Sequence, residues 1–109
     1  MPVLVACRAF AAQALWSAGE RVEAVMQAEQ TCEQLKLLHA PAHCLLPAAA
    51  LAVGETVARA CHIGMADRRK GRRLLAECHQ FLAVRAARLL PFAAELAEKL
   101  KQAAPAGYL

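Results

Sequence analysis

Apolar residues recur at steps of three and four along most of this chain, and glycine or proline interrupts the pattern at Gly19, Pro41, Pro47, Gly64 and Pro91. That spacing lines one face of an α-helix with side chains that need burial, and the interruptions mark where helices stop or start. About a quarter of the 109 residues are alanine, against one Trp, one Tyr and three Phe. Small side chains of this kind favour closely packed helices over strands. The expectation is an all-α protein, a single helical-bundle domain over residues 1–109. Short connectors between amphipathic helices join neighbours that double back, so the architecture expected is an antiparallel four-helix bundle.

Residues 3–38 read as helical, and Gly19 within Ser17-Ala18-Gly19-Glu20 is placed to end one helix and start another. The sequence leaves open whether it does so and adds an extra N-terminal helix to the four. In the second half of this stretch, Ala18, Val22, Val25, Ala28, Cys32 and Leu35 form the expected inward stripe. His39-Ala40-Pro41-Ala42-His43-Cys44 reads as a connector, because proline removes a helix donor and restrains the residue before it. A helix from near Pro47 to about Ile63 should bury Leu46, Ala50, Val53, Val57 and Ala60, with Gly64 as its stop. Asp67 is positioned as the N-cap of a helix that runs to about Leu90 and buries Leu75, Cys78, Leu82 and Leu89. Pro91 opens the last helix, to about Lys101, with Phe92, Leu96 and Leu100 inward. Residues 103–109 are expected to fray.

Charge is distributed unevenly along this frame. Five of the thirteen basic residues fall within Arg68-Arg69-Lys70-Gly71-Arg72-Arg73. Residues 1–58 carry three Lys/Arg against five Asp/Glu, whereas residues 59–88 carry eight against two. Positive side chains in the first turn of a helix oppose its dipole, which hints that they are used. A concentrated basic patch reads the phosphate backbone of RNA or DNA, or an acidic partner. The simpler alternative is a solvated helical turn that keeps an apolar protein in solution. The candidate nucleic-acid-binding residues are Arg59, Arg68, Arg69, Lys70, Arg72, Arg73, Arg85 and Arg88. Arg85 shares a stripe with Cys78 and Leu82, so it should snorkel at an edge, pair with a glutamate on a neighbouring helix, or face a subunit interface.

The cysteines at positions 7, 32, 44, 61 and 78 are odd in number and show no CxxC spacing. They read as reduced thiols in a cytoplasmic protein. Only six residues precede Cys7 in Leu4-Val5-Ala6-Cys7, so a lipoprotein processing signal is not expected. The longest uncharged run, residues 37–54, contains two prolines and two histidines and makes a poor membrane span. Cys61-His62 and Cys78-His79 are residue types that bind zinc, but adjacent side chains diverge by about 100° on a helix and no metal site is expected. Glycine-rich phosphate loops, serine nucleophile settings and paired carboxylates are missing from the sequence, so no cofactor is expected.

The segment Leu46-Pro-Ala-Ala-Ala-Leu-Ala-Val-Gly-Glu-Thr-Val-Ala-Arg-Ala60 resembles the second-helix signature of the four-helix-bundle proteins encoded in intervening sequences of bacterial large-subunit rRNA. Leu46, Ala49, Ala50, Leu51, Ala52, Val53, Val57 and Ala58 fit that pattern. Gly54 stands where proline is usual, Thr56 where asparagine is usual, and Arg59-Ala60 where Glu-Gly is usual. Arg73-Leu-Leu-Ala-Glu-Cys-His-Gln-Phe-Leu-Ala83 is similar to the third helix of the family, and Trp16 with Ala18 to the first. The superfamily includes the accessory variability proteins of diversity-generating retroelements, basic pentameric bundles that work with a reverse transcriptase. The resemblance implies a noncatalytic, self-assembling homo-oligomer, a pentamer, whose basic face meets RNA, DNA or a nucleoprotein partner.

Two other function classes fit the same residues. Arg72 and Arg73 precede His79 at the spacing of the HEPN ribonucleases, and the sequence from Leu15 to Val25 also resembles the opening of those domains. In that chemistry histidine moves a proton at the 2′-hydroxyl and arginine holds the scissile phosphate, without a metal. The third class is a protein-interaction scaffold that binds no nucleic acid.

Overall fold

The computed structural model describes residues 2–38 and 43–109, so of the connector expected over residues 39–44 the part 39–42 lies outside the described residues, while His43 and Cys44 precede α3 without helical structure. The described residues are helical throughout their ordered elements: α1 (Pro2–Ser17), α2 (Arg21–Leu37), α3 (Leu46–His62), α4 (Arg68–Gln80) with a π-helical continuation (Phe81–Ala86), and α5 (Ala93–Ala103). No strand forms among them.

Gly19 does break the first helical stretch. It sits at φ +89°, where a side chain would be strained. Its N–H donates to Trp16 O at 3.1 Å, while Glu20 N–H donates to Leu15 O at 2.9 Å. This is the paired hydrogen bonding by which glycine ends a helix and satisfies its last carbonyls. Gly64, at φ +75°, repeats it at the end of α3, with Gly64 N–H on Cys61 O and Met65 N–H on Ala60 O. Pro47 lies in the first turn of α3, where its missing donor does no harm. Asp67 caps α4 as its place in the sequence predicts, its Oδ1 accepting from Lys70 N–H at 2.8 Å.

α3 packs against α1, α2, α4 and α5 together. All five of its expected core residues are buried, and so are Pro47, Ala49, Ala52, Gly54, Thr56 and Ala58. Its neighbours approach closely because these side chains are small. A Cβ on Gly54 would stand 2.6 Å from Leu100 Cδ1, so the α5 leucine occupies the space a side chain would have filled. Two threonines are wholly buried, and each hydroxyl donates one turn back along its own helix, Thr31 to Gln27 O at 2.7 Å and Thr56 to Ala52 O at 2.8 Å. Their polar groups are thereby satisfied inside an apolar core.

Four sequence expectations are corrected. In α2 the buried residues are Ala24, Ala28, Thr31, Cys32 and Leu35, while Val22 is 69% exposed and Ala18 lies in the turn before the helix. In the last helix Ala93, Ala97 and Leu100 face inward, whereas Phe92 is 45% exposed and precedes the helix. In both cases an alanine-bearing stripe takes the inner position, because close helix contact needs small residues at the crossing. Leu89 is also exposed. The α-helix ends at Gln80, the π-turns of residues 81–86 advance each residue by less than the α-helical 100°, and Leu89 is carried off the stripe that buries Cys78 and Leu82. Finally, the chain after α5 packs back on the bundle: Tyr108 is half-buried against the core, and its N–H donates to Pro105 O at 3.1 Å.

Gly54→Val should therefore lower stability by about 1–3 kcal/mol, since the added branches must displace Leu100 from a filled site. Urea unfolding followed by circular dichroism measures it. A stability equal to that of the parent would contradict the close α3–α5 contact.

Candidate nucleic-acid interface

The geometry of α4 divides its cations into two groups. At 100° per residue, Arg68, Arg69, Arg72 and His79 fall within an arc of about 100°, and Lys70, Arg73 and Glu77 within the next 60° or so. Gly71, Leu74, Leu75 and Cys78 complete the circle on the buried side. The middle arc lies along α2. Lys70 Nζ is 2.8 Å from Glu29 Oε2, and Arg73 Nη1 is 3.3 Å from Glu33 Oε1 and 3.7 Å from Glu77 Oε1. Lys36 extends the network to Glu77 at 3.2 Å and Glu33 at 3.6 Å. Its ammonium is held above its ordinary pKa, first by the hydrogen bond to Glu77 and then by the charges of Glu77 and Glu33.

Lys70 and Arg73 are thus neutralised within the molecule. Arg68, Arg69 and Arg72 are not: all three are exposed, and among the described residues no carboxylate lies within ion-pair distance of any of them. They line one shallow surface depression. Arg68 is held over the Tyr108 ring, 5.9 Å from its centroid. Tyr108 reaches this position because Gly71 has no side chain: a Cβ there would stand 3.2 Å from the ring and collide with Cys61 Sγ. The C-terminal segment therefore orients one of the three arginines, a role that sequence reading missed. Tyr108, the one tyrosine in a chain so poor in aromatics, was the available signal.

The remaining candidates stand elsewhere. Arg85 is half-buried and donates from Nη1 to Leu35 O at 2.9 Å and from Nη2 to Leu38 O, with its guanidinium 5.3 Å above the Phe81 ring. Its partners are main-chain carbonyls at the C-terminal end of α2 rather than a glutamate, one of the three settings the sequence allows, and its positive charge complements the dipole at that helix end. Arg59 is exposed near the end of α3, and Arg88 is exposed in the turn beyond the π-helical segment. Arg88 lies on the order of 20 Å along the rod from Arg72.

Arg72 and His79 share a face, two turns apart, and His79 is half-buried. Arg73 is about 120° around the helix from His79 and engaged by Glu33 and Glu77. The two Cys-His dipeptides do not meet. Cys78 faces Cys32 at 3.8 Å between sulfurs, Cys61 abuts Gly71, and His62 meets the end of α5. The Cys61 thiol is pushed up, first by burial and then by the charge of Asp67. Among the described residues no group of three or more His, Cys, Asp or Glu side chains is placed to hold a metal ion, and no helix is long and apolar enough to cross a membrane. Comparison with known protein families, curated proteins and solved structures finds no match to this chain.

This division predicts opposite responses to mutation. Arg85→Ala should destabilise the fold by about 1.5–3 kcal/mol, because two part-buried carbonyls lose charged donors. Arg69→Ala should leave the unfolding midpoint unchanged. Equal midpoints for the two variants would contradict a structural role for Arg85.

Proposed function

We propose that this protein is a noncatalytic, self-assembling basic helical bundle that binds RNA or DNA, or a nucleoprotein partner such as a reverse transcriptase, through Arg68, Arg69 and Arg72. The observation that carries the reading is that these three arginines share one exposed face without carboxylate partners among the described residues, although acidic residues neutralise their neighbours Lys70 and Arg73. A solubilising patch would have no need of an oriented guanidinium, yet Arg68 is held over Tyr108. Phosphate binding also suits the N-terminal end of α4, where the helix dipole adds to the arginine charge. Arg59 and Arg88 are exposed and can add contacts on a longer strand, whereas Lys70, Arg73 and Arg85 serve the fold first. The resemblance to the intervening-sequence bundles supports the same reading, its second-helix segment falling on α3, its third on α4 and Trp16 of its first on α1.

Self-assembly is supported by α1. Val5, Ala6, Ala9 and Ala12 are buried, yet Val3, Leu4 and Phe10 lie exposed on a helix with a single charged residue, Arg8. An apolar helix face of this kind is a candidate subunit interface, and closed symmetry would cover it, as a pentamer in the resemblance or as a dimer. Cysteines that are all free thiols suit a reducing, cytoplasmic setting. The ribonuclease alternative is favoured by one observation, the common face of Arg72 and His79, and it would show as metal-independent RNA cleavage that His79→Ala abolishes.

Fluorescence anisotropy with single-stranded RNA and DNA tests the binding reading. Three neutralised phosphates should give a salt slope near −2, a loss of about 20-fold in affinity between 50 and 200 mM salt, with little sequence preference. No binding at 50 mM salt would overturn the proposal and leave the scaffold reading. Light scattering should return a mass several times the 11.7 kDa chain, and a stable monomer would remove the assembly claim.

A further inference from the structure

Cys32 on α2 and Cys78 on α4 are each 1% exposed, and their sulfurs lie 3.8 Å apart across the seam between the two helices. That is sulfur–sulfur contact, one closing movement from a disulfide bond of about 2.05 Å. Cys32 Sγ also lies 3.3 Å from Glu77 Oε2, so a carboxylate stands beside the thiol proton. A cavity of about 230 Å³ adjoins the pair, lined by both cysteines together with Leu35, Phe81, Lys36, Glu77, Gln80 and Arg85. A water molecule takes up about 30 Å³ in the liquid, so the cavity has room for an oxidant as small as hydrogen peroxide. The other cysteines stand apart, Cys7 and Cys44 exposed and Cys61 half-buried.

We infer that Cys32 and Cys78 form a peroxide-generated, reversible disulfide that ties α2 to α4. Glu77 accepts the Cys32 proton as the sulfur attacks one peroxide oxygen. The O–O bond breaks, the departing hydroxide takes that proton to become water, and Cys32 is left as a sulfenic acid. The Cys78 sulfur then attacks the Cys32 sulfur, the S–O bond breaks, and the hydroxyl leaves with the Cys78 proton as a second water. Two thiols are oxidised and one peroxide is reduced to two waters; a small thiol such as glutathione reverses the bond by exchange. The reaction is slow compared with that of a surface thiolate. The shared hydrogen bond with Cys78, then burial, then the neighbouring charges of Cys78 and Glu77 hold the Cys32 thiol protonated well above the ordinary thiol range. The pair therefore answers sustained peroxide, and the bond would fasten the same two helices that the Lys70–Glu29 and Arg73–Glu33 pairs join.

The test uses the full chain with Cys7→Ser and Cys44→Ser, which removes the two exposed thiols. The reduced protein is held in hydrogen peroxide with free glutathione as an internal control, then quenched with catalase, unfolded in N-ethylmaleimide, digested and weighed by mass spectrometry. A peptide carrying Cys32 joined to one carrying Cys78, lost on treatment with dithiothreitol, is the expected result. The melting midpoint should rise by roughly 10 °C in the oxidised protein and return on reduction. Recovery of Cys32 and Cys78 as alkylated thiols after the glutathione control is fully oxidised would overturn the inference, and so would a predominant link from either one to Cys61.

Discussion

The contact of four helices with a single small-residue helix governs this protein. α3 gives up side-chain bulk at Ala49, Ala50, Ala52, Gly54 and Ala58, and its neighbours supply the larger groups that fill the space. Leu100 sits over Gly54 where a Cβ would have been. Close packing of this kind rewards a particular set of inner stripes, because a small residue at a helix crossing permits dispersion contacts along both backbones. The exposure of Val22 and Phe92 follows from the same rule: bulk is kept out of the crossings and left at the periphery.

Once α3 fixes the places of α2 and α4, their facing surfaces must be compatible in charge. Glu29 and Glu33 on α2 stand one turn apart, as do Lys70 and Arg73 on α4, and the two rows pair across the seam. Exposed pairs of this type contribute little stability individually. Their larger consequence is selective: they take two cations out of a cluster of five and leave three on the adjoining arc. The helix thereby presents a hydrophobic side to the core, a neutralised side to α2 and a positive side to solvent. Tyr108, brought back over Gly71 by the C-terminal segment, sets the position of Arg68 on that positive side.

The starts at Pro47 and Asp67 and the stop at Gly64 were legible in the sequence because each has a local chemical cause, whereas Gly19 was only a candidate break and the end of α4 at Gln80 gave no such signal. The core of α3 was legible because its inward stripe is also its most aliphatic one. Periodicity failed where two apolar stripes compete on one helix, as in α2 and α5, since it does not weigh size against helix separation. It also carried no sign of the π-turns at residues 81–86, which arise with tertiary packing and rotate the residues beyond them. In the candidate site, the cluster itself was visible, but its division was not. The opposite charge excess of residues 1–58 and 59–88 was read only as a basic patch, and which cations pair internally depends on the angle at which α4 meets α2. Arg85 illustrates the same limit, because a cation on an apolar stripe gives no indication that its partners are main-chain carbonyls on another helix.

The sharpest measurement compares RNA affinity for two variants that each remove cations from the same helix: Arg68/Arg69/Arg72→Gln and Lys70/Arg73→Gln. Both should first be shown by circular dichroism to retain the parent helix content. If the unpaired arc is the nucleic-acid face, the triple variant should lose binding at 50 mM salt, while the double variant should bind within about threefold of the parent because its cations were already neutralised by α2. Equal losses per charge removed in the two variants would contradict the division of α4 and reduce the cluster to a diffuse positive field.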